Sequence, residues 1–297
     1  MDNIEKILWK AQFQQKKNWL QVRRFLQEAL ARYPQEKRLY HALADLYFSQ
    51  QLYARAINVY MDLLDLDDSD DQVNFKIGNC FLSLKEYRLA IDYYEKVKTD
   101  FPELTYNKAF AYSKIGKFEE SLKIMQEIMS YQIYTELPLI FITELYFALK
   151  DYNKAIEYLN KAEVMFGKQG TFHYLRGLAY SHMEKWLQAY LEFQKADKFK
   201  LDSYHFYRAY GIACDKIGKT DQAVDHLLKS IKLFPGNSAS YLDLIRIYLD
   251  NNRIMEAYTL IMHAKKNIPF SISLSLLYNQ IMQRMKKGIK KDLYEDL

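Results

Sequence analysis

The chain is short of the residues that interrupt helices. It has five prolines and nine glycines among 297 residues, which excludes a turn-rich architecture and permits long unbroken helices. Cysteine is scarcer still: only Cys80 and Cys214 occur. Two cysteines exclude a disulfide framework or a Cys-based zinc site, and such low usage fits a reducing compartment. No apolar run is long enough to span a bilayer. The most apolar stretch, residues 137–149, is interrupted by Glu144. The first six residues, Met1 to Lys6, lead into an amphipathic stretch without the apolar core of a signal peptide. From these absences a soluble, cytoplasmic chain without a membrane span is expected.

The motifs of catalysis are missing as well. No Gly-rich loop ends in Lys-Ser or Lys-Thr, no nucleophile elbow occurs, and the six histidines show no paired ligand spacing. Residues 62–71, Asp-Leu-Leu-Asp-Leu-Asp-Asp-Ser-Asp-Asp, place Asp65, Asp67, Ser69 and Asp71 at alternate positions. A calcium loop beginning there needs Gly at its sixth place and Glu at its twelfth. Asp70 and Lys76 stand there instead, so this is read as an acidic turn with Asp70 or Asp71 capping the next helix. No metal, cofactor or catalytic residue is expected. A one-signed charge is lacking too. The net charge is +5, but residues 1–203 balance at 28 basic and 28 acidic side chains, and residues 204–297 carry 14 and 9. A neutral first two thirds argues against a surface that tracks phosphates.

What the chain does have is a period. A small residue recurs as Val22, Ala56, Ala90, Ser121, Ala155, Ala189, Ala223 and Ala257, and all but one of the steps are 34 residues. The exception, from Ala90 to Ser121, is 31. Spacing of this kind marks stacked helical units that contact only their neighbours. With this residue at position 20, units start near 3, 37, 71, 102, 136, 170, 204 and 238. Position 8 is Gly, Ala or Thr in six of the eight units. Position 11 is aromatic except for Cys214, and position 24 is large throughout. Positions 4, 7, 8 and 11 share one face of a first helix, and 20, 24 and 27 one face of a second. Small residues at 8 and 20 allow close approach, and the large ones fill the space around it. Pro34, Pro102, Pro235 and Pro269 all fall at position 32, where a second helix must stop. Both cysteines lie on first helices, at or beside an inward position, and are expected to be buried. The 31-residue step predicts a shortened helix or a change of pitch between the third and fourth units.

These positions resemble the tetratricopeptide repeat family: an aromatic, a small residue, Tyr, then Ala, an aromatic, Ala and Pro. The resemblance covers about residues 3–271. It implies an all-α fold, a right-handed α-solenoid of eight helix-turn-helix repeats. The first unit, with Lys10 and Val22 at its small positions, is read as a divergent cap. Residues 272–286 are expected to add a capping helix, and residues 287–297 a charged tail.

In that family the first helices line a concave groove through positions 2, 5, 9, 12 and 13. Here those positions supply Phe48, Phe75, Asn79, Tyr106, Phe110, Phe147 and Tyr174, then Arg208 and Arg246. The resemblance thus implies a mostly aromatic groove for a peptide or helix of a partner protein. Its last two units offer arginines to an acidic group, with Asp215 and Asp250 as nearby counter-charges. Some relatives clamp a chaperone's C-terminal carboxylate with Lys and Asn at positions 5 and 9, Asn at position 6 of the next unit, and two bases in the third. Asn79 and Asn107 are in place, but Phe75, Leu137 and Phe141 replace the bases, so no such clamp is expected. The expected function is a non-enzymatic interaction scaffold. Its alternatives are a single-stranded RNA-binding helical repeat, whose base-reading polar code position 5 lacks, and a regulatory module of an enzyme complex.

Overall fold

The computed structural model of the chain describes residues 3–14, 18–66, 70–128 and 136–295, and no side chain at residues 3 and 14 or beyond 286. Among the described residues all regular structure is helical, and the chain divides into two compact units, Met1–Leu149 and Lys150–Leu297.

The first unit holds nine helices: α1 (Asn3–Gln14), α2 (Trp19–Arg32), α3 (Lys37–Ser49), α4 (Tyr53–Leu64), α5 (Asp71–Ser83), α6 (Tyr87–Tyr94), α7 (Pro102–Lys114), α8 (Phe118–Ile128) and α9 (Leu137–Ala148). Each packs on the next, and α5 also touches α7. The second unit holds α10 (Tyr152–Phe166), α11 (Gly170–His182), α12 (Trp186–Lys198), α13 (Tyr204–Lys216), α14 (Thr220–Leu233), α15 (Ser238–Asp250), α16 (Ile254–Asn267) and α17 (Ile272–Glu295). Here too each helix packs on the next, while α11, α13, α15 and α17 form a second line of neighbours. Consecutive antiparallel packing without strands is the all-α solenoid architecture that the period implies.

The helices start and stop for local reasons. Asn18, Asp70, Asp151 and Asn237 accept backbone N–H bonds in the first turns of α2, α5, α10 and α15, satisfying donors that the helix leaves open. Pro102 opens α7, where a missing N–H costs nothing. Pro34, Pro235 and Pro269 follow the C-caps of α2, α14 and α16. First and second helices are joined by one left-handed residue at position 15, whether or not glycine is there. These residues are Gln51, Lys85, Gly116, Lys150, Glu184, Gly218 and Asn252, with φ between 57° and 80°. In the turns at Gln51, Lys85, Gly116, Glu184, Gly218 and Asn252 the next N–H donates back to position 11, as from Glu86 to the Phe81 carbonyl at 2.9 Å, which closes the helix end.

The missing three residues of the 31-residue step fall in α6, which has eight residues where α4 has twelve and α12 thirteen. The turn after it is tied down by Asp71, whose Oδ2 accepts from the Lys98 and Thr99 backbone N–H groups at 3.1 and 3.0 Å and from Thr99 Oγ1 at 2.9 Å. These bonds hold the Asp71 carboxyl below its usual range, the Lys98 N–H foremost. Asp70, not Asp71, is the cap of α5. The remainder of the acidic turn, Asp67 to Ser69, lies outside the described residues.

The core follows the register. Positions 20, 24 and 27 are buried in every unit, from Val22, Leu26 and Ala29 in α2 to Ala257, Ile261 and Ala264 in α16. Each fully buried large side chain contributes on the order of 2 kcal/mol. Position 8 is small because position 24 lies against it. A Cβ at Gly78 would sit 2.4 Å from the Tyr94 ring, and one at Gly177 2.4 Å from Phe193. The two cysteines are buried in separate cores, and burial pushes both thiols up to about 12. The first helix pair is looser. Trp9 and Phe13 are 59% and 65% exposed and stack on each other at 5.5 Å, and Lys10 turns outward over the Phe25 ring. At the other end, Leu274 and Ile281 of α17 are completely buried, and Arg284 donates to the Leu249 carbonyl at 3.1 Å. The α17 backbone continues past residue 286 to Glu295, since Lys, Leu and Glu favour helix and only Gly288 opposes it.

Candidate functional site

The nine residues singled out by position lie on first helices, and none is sealed off. Phe48, Phe75, Asn79, Tyr106, Phe110, Phe147, Tyr174 and Arg208 are half-buried, and Arg246 is exposed. The rings are anchored as well as accessible.

In the first unit, position 9 of each first helix meets position 6 of the next. From α3 to α5 the pair is ionic: Lys76 Nζ donates to both Asp45 oxygens at 2.8 Å. From α5 to α7 it is an amide pair. Asn79 Oδ1 accepts from Asn107 Nδ2 at 3.0 Å and from the Tyr94 hydroxyl at 2.7 Å. Both of these bonds engage the Asn79 amide oxygen and neither its nitrogen. From α7 to α9 the pair is aromatic, Phe110 on Phe141 at 6.2 Å, with Tyr106 on the same ring at 5.5 Å. Phe75 lies edge-on to Phe101 at 4.9 Å, and Phe48 edge-on to Tyr53 at 5.3 Å.

Two charges flank the aromatic pair. Lys114 Nζ stands 4.7 Å over the Phe110 ring centre, a cation–π contact. On α9, desolvation pushes the Glu144 carboxyl up, with Lys114 opposing. The same cause raises the Tyr106 hydroxyl, to which Glu144 adds. The result is a semi-buried pair of rings between one cation and one carboxylate, seated on the buried Phe141. Phe141 is the residue that position-by-position reading misses. It lies on a helix apolar on nearly every side, where periodicity carries no signal.

In the second unit, Tyr174 leans on Phe193 and Phe206 at 6.2 and 6.0 Å. Arg208 is engaged: its Nε donates to Asp243 at 2.6 Å. The counter-charge is therefore Asp243 on α15, the next first helix, and neither Asp215 nor Asp250. Burial raises the Asp215 carboxyl, and Asp250 adds to the rise as a like charge. Arg246 has no ion pair with a described residue and remains the open cation of this face. No helix among the described residues is long and apolar enough to cross a membrane.

Helices that pair in chain order, a fixed register of small and large contacts and a repeated left-handed turn define a helical repeat protein. Residues 24–68 match the family model described as YpiA-like tetratricopeptide repeats, and residues 72–103 and 143–163 match models of the tetratricopeptide repeat. The chain belongs to the tetratricopeptide repeat proteins. Among curated protein sequences none matches it. Solved structures are similar in fold. A chain of the APC/C hetero-tetramer Cut9-Hcn1 is 18% identical with a TM-score of 0.57, over 95% of this chain and 57% of that one. The present chain thus spans little more than half of that relative. The C-terminal part of a repeat-containing protein from Cytophaga hutchinsonii is 19% identical, TM-score 0.62, over 79% and 97% of the two chains. A tetratricopeptide repeat protein from Parabacteroides merdae is 14% identical, TM-score 0.59, over 82% and 98%. Likeness at these identities is a likeness of fold.

Proposed function

We propose that the chain is a non-enzymatic scaffold that captures a peptide or short helix of a partner protein on its first-helix surface. Tetratricopeptide repeats generally mediate contacts between proteins, and the finer reading rests on one observation. Tyr106 and Phe110 keep exposed area while both rings pack on Phe141 and Lys114 lies over Phe110. Rings held in place lose little freedom on binding, and central aromatic anchors carry most of the energy of an interface. Lys114 and Glu144 favour a partner segment with an apolar side chain between an acidic and a basic one. The Asn79 amide nitrogen adds a donor for a backbone carbonyl. No bond is made or broken; selectivity comes from preformed shape and charge.

A displayed peptide library selected on the intact chain tests this. The selected peptides are expected to lose at least about tenfold in affinity, or ~1.4 kcal/mol, to Phe110→Ala and to Tyr106→Ala, with the circular dichroism of the variants unchanged. Peptides that bind both variants as tightly as the native chain would contradict the reading.

A further inference from the structure

Buried charge is confined to one place among the described residues. His173, Arg176 and Glu192 are 4%, 6% and 9% exposed, and no other described ionisable side chain apart from tyrosine and cysteine is buried. His173 and Arg176 take positions 4 and 7 of their unit, where α15 has Tyr241 and Leu244. Placing charge there is costly unless every group is matched. All three residues line a cavity of about 510 Å³ formed by α10, α11, α12 and the residues beside them.

Most of the network is internally satisfied. Arg176 donates through Nε to Glu192 at 3.2 Å and through one terminal nitrogen to Asn160 at 2.8 Å. Its other terminal nitrogen pairs with Glu163 and lies 2.9 Å from His173 Nδ1. Glu192 also accepts from Lys195 at 2.7 Å, and its other oxygen lies 2.8 Å from His173 Nδ1. What is left over belongs to residues that line the cavity. His173 Nε2 has no partner among the described residues, although its side chain is only 6% exposed. Lys168 and Lys198 line the cavity without an ion pair to a described residue. Around the cavity Lys168, Arg176, Lys195 and Lys198 stand against only Glu163 and Glu192. Phe199, 47% exposed, stacks on His173 at 5.6 Å and offers a flat apolar wall.

We propose that this cavity binds a small organic anion, its phosphate or carboxylate group held by Lys168 and Lys198 and a polar group at His173 Nε2. The volume lies within the range of small-molecule sites. The excess positive charge sets the sign of the ligand. Arg176 and Glu192 hold the imidazole in place, as a preformed site requires.

The test is calorimetric titration of the intact chain with inorganic phosphate, citrate and adenosine 5′-monophosphate. Citrate or the nucleotide is expected to bind with Kd below about 1 mM, and inorganic phosphate, which reaches only the lysines, more weakly. Lys168→Gln/Lys198→Gln, two surface changes, is expected to weaken binding at least tenfold with the melting temperature unchanged. His173→Asn, which keeps a nitrogen for Glu192 but removes Nε2, is expected to weaken the organic anions and leave phosphate unaffected. Absence of binding by all three probes up to about 10 mM, or equal binding to the lysine double variant, would overturn the proposal. So would a polyglutamate peptide that binds with the same lysine dependence while the three small anions do not, which would make the cavity a protein contact.

Discussion

In residues 1–149, α7 and α9 hold Tyr106 and Phe110 half-buried on Phe141, beside Lys114 and a Glu144 carboxyl that desolvation pushes up. In residues 150–297, the first helices pair Arg208 with Asp243 and keep Tyr174 against Phe193 and Phe206. The scaffold positions are alike in both regions: a small residue at 8 and a large one at 24, as in Gly78 under Tyr94 and Gly177 under Phe193. Packing fixes Gly78 and Gly177, because the ring opposite leaves no room for a Cβ. The outward positions carry no such constraint, so each region presents its own chemistry on the same rods. The first region offers rings with open area. The second pairs Arg208 with Asp243 and Arg176 with Glu163 and Glu192, and leaves Arg246, Lys168 and Lys198 without an ion pair to a described residue.

The largest effect is expected from separating charge pairs by their burial. Arg176→Met strands Glu163 and Glu192 and should cost about 3–5 kcal/mol in urea unfolding. Lys76→Met, which frees the exposed Asp45, should cost less than about 1 kcal/mol. Equal losses would mean that burial does not distinguish the two regions. A smaller effect is expected where the regions are alike. Gly78→Ala and Gly177→Ala each force a methyl into a ring and should lose about 1–3 kcal/mol. If one is neutral, the shared packing rule fails in that region.

The smallest effect is one of sign. Glu192 is desolvated, but Lys195, His173 and Arg176 outweigh burial and hold its carboxyl below 4.5. Its contribution is therefore complete above pH 4.5 and lost as pH falls through the lower, folded value. Glu144 is raised above 4.5, so it favours the fold below that pH and loses this contribution as pH rises through its folded value. At neutral pH, Glu192→Gln should lower the melting temperature and Glu144→Gln should raise it. Shifts of the same sign would remove the electrostatic contrast.

The fold was legible in the sequence because its rules are local. A period of 34, prolines at one position and small residues opposite large ones determine where helices begin, as at Lys37, Asp71, Pro102 and Gly170. The site was legible only in part. The nine residues read by position do reach the surface, but partners such as Asn107 for Asn79 and Asp243 for Arg208 lie 28 and 35 residues away, on helices whose faces the pattern does not resolve. Phe141 sits in a segment without amphipathic contrast. Asp243 answers Arg208 across 35 residues, and no spacing rule selects it over Asp215 or Asp250. His173, Arg176 and Glu192 join into one cluster only when α10, α11 and α12 are packed together.

The central claim is that a partner docks over the Phe110 ring. A photoreactive benzophenone residue placed at Lys114 on α7, and separately at exposed Leu89 on α6, tests it with a peptide selected on the intact chain. The crosslink is expected at position 114 and absent at position 89. A crosslink at 89 with none at 114 would put the partner on the second helices and contradict the account.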